Sequence, residues 1–346
     1  MANIKQFLEG DVVNDTQKLA ISTWTNNTNN LQVAHTSSTQ ADFGAPTSSG
    51  AFFIDIFNEA TSSTTAEVQY AIAHGHINGS GSLNFTNDVG AKGKSATGVT
   101  YGQYRNLVFG DEVSSFTFGT HVPESIYILN IKRARYRHNL KAGTLNLFIT
   151  ASESPTTGMV NTLHLTDDSV SATGSSTLTN AGRQFNIVSG SGGQMSGSSV
   201  SQVNESASYG LFYPDSGFII LNGDAISHSL GVTPTLTDNA TPDGPQLMYN
   251  AISGAGYFIL DSEEKISSQY YFVRLRNNEF NYTTNPSFID TTGTLNFTSM
   301  VDNPKTFITT VGLYNDLGDL VAVAKLSQPV TKDFTKEALI RVKLDY

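Results

Sequence analysis

The chain has no cysteine, no long apolar run and little charge, and each of these absences excludes a class of protein. Without cysteine, neither a disulfide framework nor a thiolate metal site can form. No apolar run approaches the roughly 18 residues that a membrane-spanning helix needs, so we expect no membrane span. The first eight residues lack the apolar core of a signal peptide, which predicts a protein made in the cytoplasm.

Charged residues make up only 14 % of the 346 residues, and their formal net charge is −10. An acidic surface repels the phosphate backbone, so we expect no specific nucleic acid partner. Disorder is also disfavoured, because 20 Phe and 14 Tyr are spread along the chain. The abundance of Ser, Thr, Asn and Gly, with 30 Gly, is typical of a β-rich protein with many turns and loops.

The predicted fold is mainly β, of the α+β class, with antiparallel, sandwich-like sheets built from hairpins, a few short helices and long loops. One hairpin joins residues 208–213 to 218–221 through a Pro-Asp-Ser-Gly turn. A second joins residues 306–315 to 320–327 through a short turn with Asn, Asp and Gly. A third run, residues 338–346, alternates apolar and charged residues, which predicts a half-buried strand.

The remaining segments predict two regions, a mixed α/β and loop-rich region over residues 1–118 and a β-rich domain over residues 119–346. A cap-like Thr and a terminal Gly favour a short helix over residues 63–75, although Val68, Tyr70 and Ile72 also alternate as in a strand. Other short helices are predicted at 102–109, 132–140 and 225–230. Further strands are predicted at 19–24, 51–57, 115–118, 125–130, 145–149, 161–165, 183–188, 257–260 and 269–275, and long loops at 35–50, 77–98, 189–206, 231–245 and 277–304.

Motifs for catalysis and cofactors are incomplete. Residues 88–95 end in Gly-Lys-Ser, but Asp88 stands where a phosphate-binding loop requires its first Gly. His74 and His76 could place two imidazoles on one face of a strand, yet no third ligand follows at motif spacing. No Gly-x-Ser-x-Gly elbow is present. We therefore predict no catalytic residue, no cofactor and no metal, and expect that the protein is not an enzyme.

Adjacent carboxylates occur at 111–112, 167–168 and 263–264. Glycoside hydrolysis uses two carboxylates, but sequence separation does not reveal their distance. All three pairs adjoin turns, where solvated carboxylates are ordinary. A polysaccharide depolymerase stays open as a minor alternative.

Two sets of residues are predicted to form an interface. The first set is a basic run in an acidic chain, with Lys132, Arg133, Arg135 and Arg137. It would contact an acidic neighbouring subunit or, as a second option, DNA; alternatively it is a solvated helix face whose side-chain stems pack on aromatic rings. The second set is the alternating terminal strand, with Leu339, Arg341 and Lys343.

Several stretches resemble structural proteins of contractile-tailed bacteriophages, especially those of marine and cyanobacterial hosts. They span most of residues 50–346, and the likeness is one of phrases and not of a catalytic motif. The stretches are Val68-Gln-Tyr-Ala-Ile-Ala-His-Gly-His76 with Gly79-Ser-Gly-Ser82, Tyr101-Gly-Gln-Tyr-Arg-Asn-Leu-Val-Phe-Gly110, Tyr209-Gly-Leu-Phe-Tyr-Pro-Asp-Ser-Gly217, Phe272-Val-Arg-Leu-Arg-Asn-Asn-Glu-Phe-Asn-Tyr282 and residues 312–344.

The resemblance implies a virion structural protein of the tail or baseplate, with other virion proteins as homo- or hetero-oligomeric partners. It implies no cofactor. A receptor- or glycan-binding tail fibre or tip protein and a capsid decoration protein are the alternatives. Exposed aromatic side chains such as Tyr270, Tyr271 and Tyr282 would serve the glycan-binding role by stacking on sugars.

Overall fold

The computed structural model describes residues 4–28, 30–31, 36–37, 53–60, 62–81, 95–151, 161–171, 174, 176–196, 208–234, 236 and 243–346. It confirms the predicted class, since this part of the chain is mainly β, with antiparallel sheets and short helices. None of the helices in these ranges has the length and apolar character to cross a membrane.

The strands, in chain order, are β1 (Val12–Ser22), β2 (Asn30–Leu31), β3 (Thr36–Ser37), β4 (Phe53–Phe57), β5 (Val68–His76), β6 (Ser125–Ile131), β7 (Asn139–Leu140), β8 (Asn146–Thr150), β9 (Thr162–Asp167), β10 (Thr177–Thr179), β11 (Gly182–Ser191), β12 (Gln194–Met195), β13 (Gly210–Tyr213), β14 (Phe218–Asn222), β15 (Phe258–Ile259), β16 (Asp261–Leu275), β17 (Thr306–Tyr314), β18 (Leu320–Lys332) and β19 (Ala338–Asp345). The α-helices are α1 (Ala96–Phe109), α2 (Gly223–Leu230), α3 (Gly244–Ala255) and α4 (Ser299–Asp302).

The chain divides into two compact units, residues 19–264 and residues 1–18 with 265–346. This division differs from the predicted boundary between residues 118 and 119. That boundary lies inside the larger unit, where β5 before it pairs with β6 after it along seven residues of each strand. Both observed boundaries fall inside strands, β1 and β16.

The larger unit is built on one curled antiparallel sheet in the order β2-β15-β8-β9-β11-β13-β14-β6-β5-β4-β3. Its central strands are covered on both faces. Along β6, Ile126 and Ile128 belong to the cluster that contains the buried side of α1, whereas Tyr127 and Leu129 belong to the cluster that contains α2 and α3. Successive residues of a strand point to opposite faces. Because β6 is covered on both faces, its apolar residues follow one another without alternation.

The smaller unit packs the hairpin β17–β18 against the strand pair β16–β19. Its buried centre is formed by Leu275, Leu313, Ile340 and Val342. Within this unit β19 alternates as predicted, with Ile340 and Val342 buried and Arg341 exposed. The two predicted hairpins, β13–β14 and β17–β18, are confirmed in antiparallel register.

The helix predicted over residues 63–75 is wrong, because β5 occupies residues 68–76 of this segment. Partners on both edges, β4 and β6, give the backbone its hydrogen bonds as a strand. The terminal Gly that favoured a helix serves close packing instead. A Cβ on Gly75 would lie 3.1 Å from the backbone nitrogen of Tyr101 in α1, so the small residue lets α1 approach.

Three further expectations fail for tertiary reasons. Residues 115–118 form no strand; Phe116 and Phe118 alternate because both side chains are buried under α1. The basic helix at 132–140 is a single 3-10 turn at Arg133–Arg135, followed by β7. Helix α3 begins inside the loop predicted for 231–245.

Three of the predicted long loops lie largely outside the described residues, namely 35–50, 77–98 and 189–206. The last predicted loop, 277–304, is described and contains only α4 as regular secondary structure.

Candidate interaction site

The basic segment follows directly on β6 in the larger unit. The backbone nitrogen of Lys132 donates to the Gln69 carbonyl at 3.0 Å, which continues the β5–β6 ladder by one residue. The chain then makes one 3-10 turn, because the Tyr136 ring must enter the core, where it is 7 % exposed. The cationic side chains therefore extend from a tight turn at the end of β6 and not from a helix face.

The three arginines have different surroundings. Arg133 donates from Nη1 to the Tyr136 carbonyl at 2.6 Å, and its guanidinium lies 4.6 Å from the centre of that ring. Arg135 donates to Oγ1 of Thr25 at 2.6 Å and to the Glu67 carboxylate at 2.8 Å. Oγ1 of Thr25 itself donates to the Glu67 carboxylate at 3.0 Å. This hydrogen bond first, and then Arg135, hold the pKa of Glu67 below its usual range. Arg137 is exposed and has no acidic partner among the described residues.

A cleft of about 750 Å³ lies beside this segment within the larger unit. Its walls come from the end of β1, the basic turn and the start of β16. They combine cationic, acidic and hydroxyl side chains. The residues that line it include Ser22, Thr23, Trp24, Asn26, Glu67, Arg133, Arg135, Arg137, Ser262 and Glu264.

Unpartnered polar atoms concentrate in the walls of this cleft. In the described part of the chain, seven buried side-chain nitrogen or oxygen atoms have no hydrogen-bond partner, and three belong to residues that line the cleft. They are Oγ1 of Thr23, Nε of Arg135 and Oγ of Ser262. Thr23 and Ser262 are only 2 % and 1 % exposed. Buried polar groups normally find a partner, so these three unpartnered atoms in the walls of one cleft need an explanation.

The second predicted set, on β19, belongs to the smaller unit. Leu339, Arg341 and Lys343 share the exposed face of the strand, and Leu339 is 59 % exposed. The guanidinium of Arg341 lies 5.6 Å from the centre of the Tyr270 ring, and the Lys343 ammonium lies 5.9 Å from it. The alternation predicted from the sequence thus placed these three side chains on one face correctly, but it did not predict the aromatic ring beneath Arg341 and Lys343.

The outer edge of β19 carries free backbone groups. Ser267 and Tyr346 exchange both backbone hydrogen bonds, and the register with β16 has no shift. In an antiparallel ladder, hydrogen-bonded pairs and non-hydrogen-bonded pairs alternate. Counting from the bonded pair Ser267–Tyr346, the N–H groups of Leu339, Arg341 and Lys343 point away from β16. No strand among the described residues pairs with that edge.

Comparisons of the chain with protein-family models, with curated proteins and with solved structures find no match.

The His74–Gly–His76 sequence lies on β5 with both imidazoles buried. Nε2 of His74 and Oγ of Ser125 share a hydrogen bond of 2.6 Å, and Nδ1 of His76 accepts one from the Asn78 nitrogen. Burial, followed by repulsion from His76, lowers the pKa of His74 to about 3. The described residues contain no group of three or more side chains that could hold a metal ion.

Three carboxylates of the adjacent pairs, Asp111, Asp167 and Asp168, accept hydrogen bonds from nearby chain segments. Hydrogen bonds from the turn that follows Asp111 lower the pKa of that carboxyl. Burial raises the pKa of Asp167, yet the Gly143 nitrogen donates to both of its oxygens, at 3.0 and 2.8 Å. Asp168 accepts from the backbone and side-chain nitrogens of Asn186. These bonds occupy the carboxylates in structural roles.

The incomplete phosphate-binding motif at 88–94 lies outside the described residues.

Sequence reasoning found the arginines of the cleft but missed Thr23, Ser262 and Glu264. The last two lie at the start of β16, far along the chain from the basic turn. Glu264 was noted only as one of an adjacent pair with Glu263. No local signal joins these residues to the arginines, because β7 and β16 bring them together by pairing Asn139 with Glu263.

Proposed function

We propose that this protein is a structural subunit of a bacteriophage particle, in the tail or baseplate, and that it acts through contacts with neighbouring virion proteins rather than through catalysis. The phage assignment rests on the resemblance of residues 50–346 to structural proteins of contractile-tailed phages. The contact function rests on one observation, the free backbone edge of β19. Such an edge is a template to which another chain can add a strand.

The exposed face of the hairpin β17–β18 supports the same role. Large apolar side chains lie on it, including Phe307, Val321 and Val323, each more than half exposed. A neighbouring subunit that pairs with β19 and covers such side chains would remove them from water. Apolar surface of this kind is typical of interaction sites.

The first experiment is antibody-gold labelling of intact particles of the virus that encodes the protein, with mass spectrometry of the same particles. Label at the distal tail is the expected result. Label over the head would favour the capsid decoration alternative. If the protein is absent from the particles by both methods, the proposal is wrong.

The edge itself is tested by a matched pair of proline substitutions. Proline removes a backbone N–H, and at an edge position that faces solvent this costs the fold little. Arg341→Pro should leave the isolated protein folded by circular dichroism yet strongly reduce its incorporation into particles. Ile340→Pro should instead disrupt the smaller unit, because the N–H of Ile340 bonds to β16. Normal incorporation of folded Arg341→Pro would exclude strand addition at β19.

A further inference from the structure

The cleft beside the basic turn is not needed for strand addition at β19, and its walls combine cationic, acidic and hydroxyl side chains. We propose that it binds an acidic sugar, a ligand with one carboxylate and several hydroxyl groups. This proposal is independent of the proposed assembly function, because the cleft lies in the larger unit and the β19 edge lies in the smaller one.

The cationic wall provides the contact for the carboxylate. Arg137 is exposed and has no acidic partner among the described residues. Arg133 is held in place by its bond to the Tyr136 carbonyl at 2.6 Å and by the ring beneath it. A guanidinium matches a carboxylate with two parallel N–H donors, so Arg137 binds the ligand carboxylate while Arg133 completes the positive wall.

The acidic side chains of the cleft favour a ligand that also donates hydrogen bonds. Glu264 lines the cleft and has no hydrogen-bond or ion-pair partner among the described residues. Glu67 lies on the wall beside Arg135. Carboxylates only accept hydrogen bonds, so they repel an anion such as phosphate but accept from sugar hydroxyls. The carboxylate of an acidic sugar can bond to the arginines while its hydroxyl groups donate to the two glutamates.

The unpartnered hydroxyls of Thr23 and Ser262 fit the same ligand. Rotation about χ1 moves each hydroxyl between staggered positions, and in the complex each turns toward a sugar oxygen. An acidic peptide side chain would use the arginines but leave both hydroxyls without partners. The sugar is therefore the better occupant.

The size and surface of the cleft agree with this choice. About 750 Å³ is within the range of small-molecule sites. The aromatic residues of the wall, Trp24 and Tyr136, are 2 % and 7 % exposed, so no ring is free to stack on a sugar. Binding rests on polar contacts, which makes it sensitive to the loss of single groups.

The chain contains its own reporter of this site. Trp24 is the single tryptophan, it lines the cleft, and its indole nitrogen donates to the Phe258 carbonyl at 3.0 Å. The full-length protein is titrated with sodium D-glucuronate, and binding is followed by tryptophan fluorescence and by isothermal titration calorimetry. D-glucose with matched sodium chloride is the neutral control. Saturable binding of glucuronate but not of glucose is expected.

Two variants separate a site from general charge attraction. Arg137→Gln should weaken glucuronate binding about tenfold, the loss expected when a charge-assisted hydrogen bond is removed. Lys141→Gln makes the same change of charge nearby but outside the cleft, and should bind as the unmodified protein does.

Thr23→Val should weaken binding roughly threefold or more. It should also leave the melting temperature unchanged or higher, because it removes an unpartnered hydroxyl from the unliganded protein.

Several outcomes would overturn the proposal. Absence of saturable binding by both methods excludes the site. Equal losses in Arg137→Gln and Lys141→Gln would show general electrostatic attraction only. Binding of N-acetylglutamate amide as tightly as glucuronate would assign the cleft to an acidic side chain of a protein neighbour. None of these results bears on incorporation into particles, which is measured separately with the β19 variants.

Discussion

At the scale of single residues, His74 shows how burial fixes a protonation state. It is 3 % exposed, lies on a central strand and bonds to Ser125 at 2.6 Å. Removing a cation from water is unfavourable, so burial is the main reason that the pKa of His74 falls to about 3. The same cause lowers the pKa of His76. Both imidazoles therefore stay neutral when the folded protein is near neutral pH.

This lowered pKa predicts an acid-sensitive fold. Between about pH 6.5 and the folded pKa, the unfolded chain binds a proton at His74 that the folded chain does not. The contribution to stability is complete above about pH 6.5 and is lost as the pH falls toward the folded value. From about pH 7 to about pH 5 the free energy of unfolding should fall by about 2 kcal/mol from His74 alone.

Urea unfolding at several pH values measures this slope. His74→Gln removes the titrating group, so its free energy of unfolding should depend less steeply on pH over the same interval. His138→Gln is a suitable control, because it removes an imidazole from an exposed position of the same unit. A pH dependence that is identical in the protein and in His74→Gln would contradict the role assigned to His74.

Gly217 closes the turn between β13 and β14 and is required there for two reasons. Its φ of +77° lies in the left-handed region, and an added Cβ would lie 2.4 Å from the hydroxyl oxygen of Tyr136. Gly217→Ala should therefore destabilise the protein by about 2–4 kcal/mol, since backbone strain and overpacking add. Gly192→Ala is the matched control, with a φ of +59° but open space around the Cβ, and should cost about 1 kcal/mol. Equal melting temperatures for the two variants would exclude the Tyr136 clash.

At the scale of elements, a buried lysine ties β18 to the long connection after β16. Lys332 is fully buried, and its ammonium donates to the carbonyl of Asn277 at 2.8 Å, to the side chain of Asn281 at 2.8 Å and to the carbonyl of Asp333 at 3.0 Å. A buried charge is tolerated only when its hydrogen bonds are complete. The lysine thus holds a segment with little regular structure against a strand.

Lys332→Met should destabilise the smaller unit by about 2–4 kcal/mol, because three acceptors lose a charged donor while the side-chain volume is nearly kept. Lys325→Met is the control on the same strand, where the side chain is exposed, and should change stability by less than about 0.5 kcal/mol. Denaturant unfolding measures both. If the two variants are equally stable, the hydrogen bonds of Lys332 do not hold the connection.

At the scale of the whole molecule, each unit has a hydrophobic core of its own. The smaller unit is centred on Leu313 and its neighbours, and the larger unit contains two clusters, one on each face of its sheet. Units with separate cores often unfold in separate steps. We therefore expect two transitions in differential scanning calorimetry of the full chain.

One substitution in the core of each unit shows which transition belongs to which unit. Leu313→Ala should lower the midpoint of one transition and Leu147→Ala that of the other, since each removes about 2–5 kcal/mol of packing from a buried site. One transition that both substitutions lower equally would show that the two units unfold together.

Local chemistry was sufficient to predict several elements. The alternation of Ile340 and Val342 with Arg341 and Lys343 predicted both the strand β19 and its buried face, because side chains in a strand point to opposite sides. The Pro-Asp-Ser-Gly sequence before β14 predicted a tight turn, because Gly tolerates the positive φ that Gly217 adopts. Helix α3 had usable signals that the prediction passed over, with Pro245 in its first turn and Gly256 after its last.

Long-range packing decided the rest. The segment containing Val68, Tyr70 and Ile72 fits a helix or a strand by itself, and only the pairing of β5 with β4 and β6 selected the strand. The cleft has the same origin. Thr23, Arg137 and Ser262 are distant in sequence, and each is unremarkable alone. A sequence by itself determines the turns and the exposed faces of strands, because these depend on neighbouring residues; the partners of a strand and the walls of a cleft depend on contacts that only the folded chain contains.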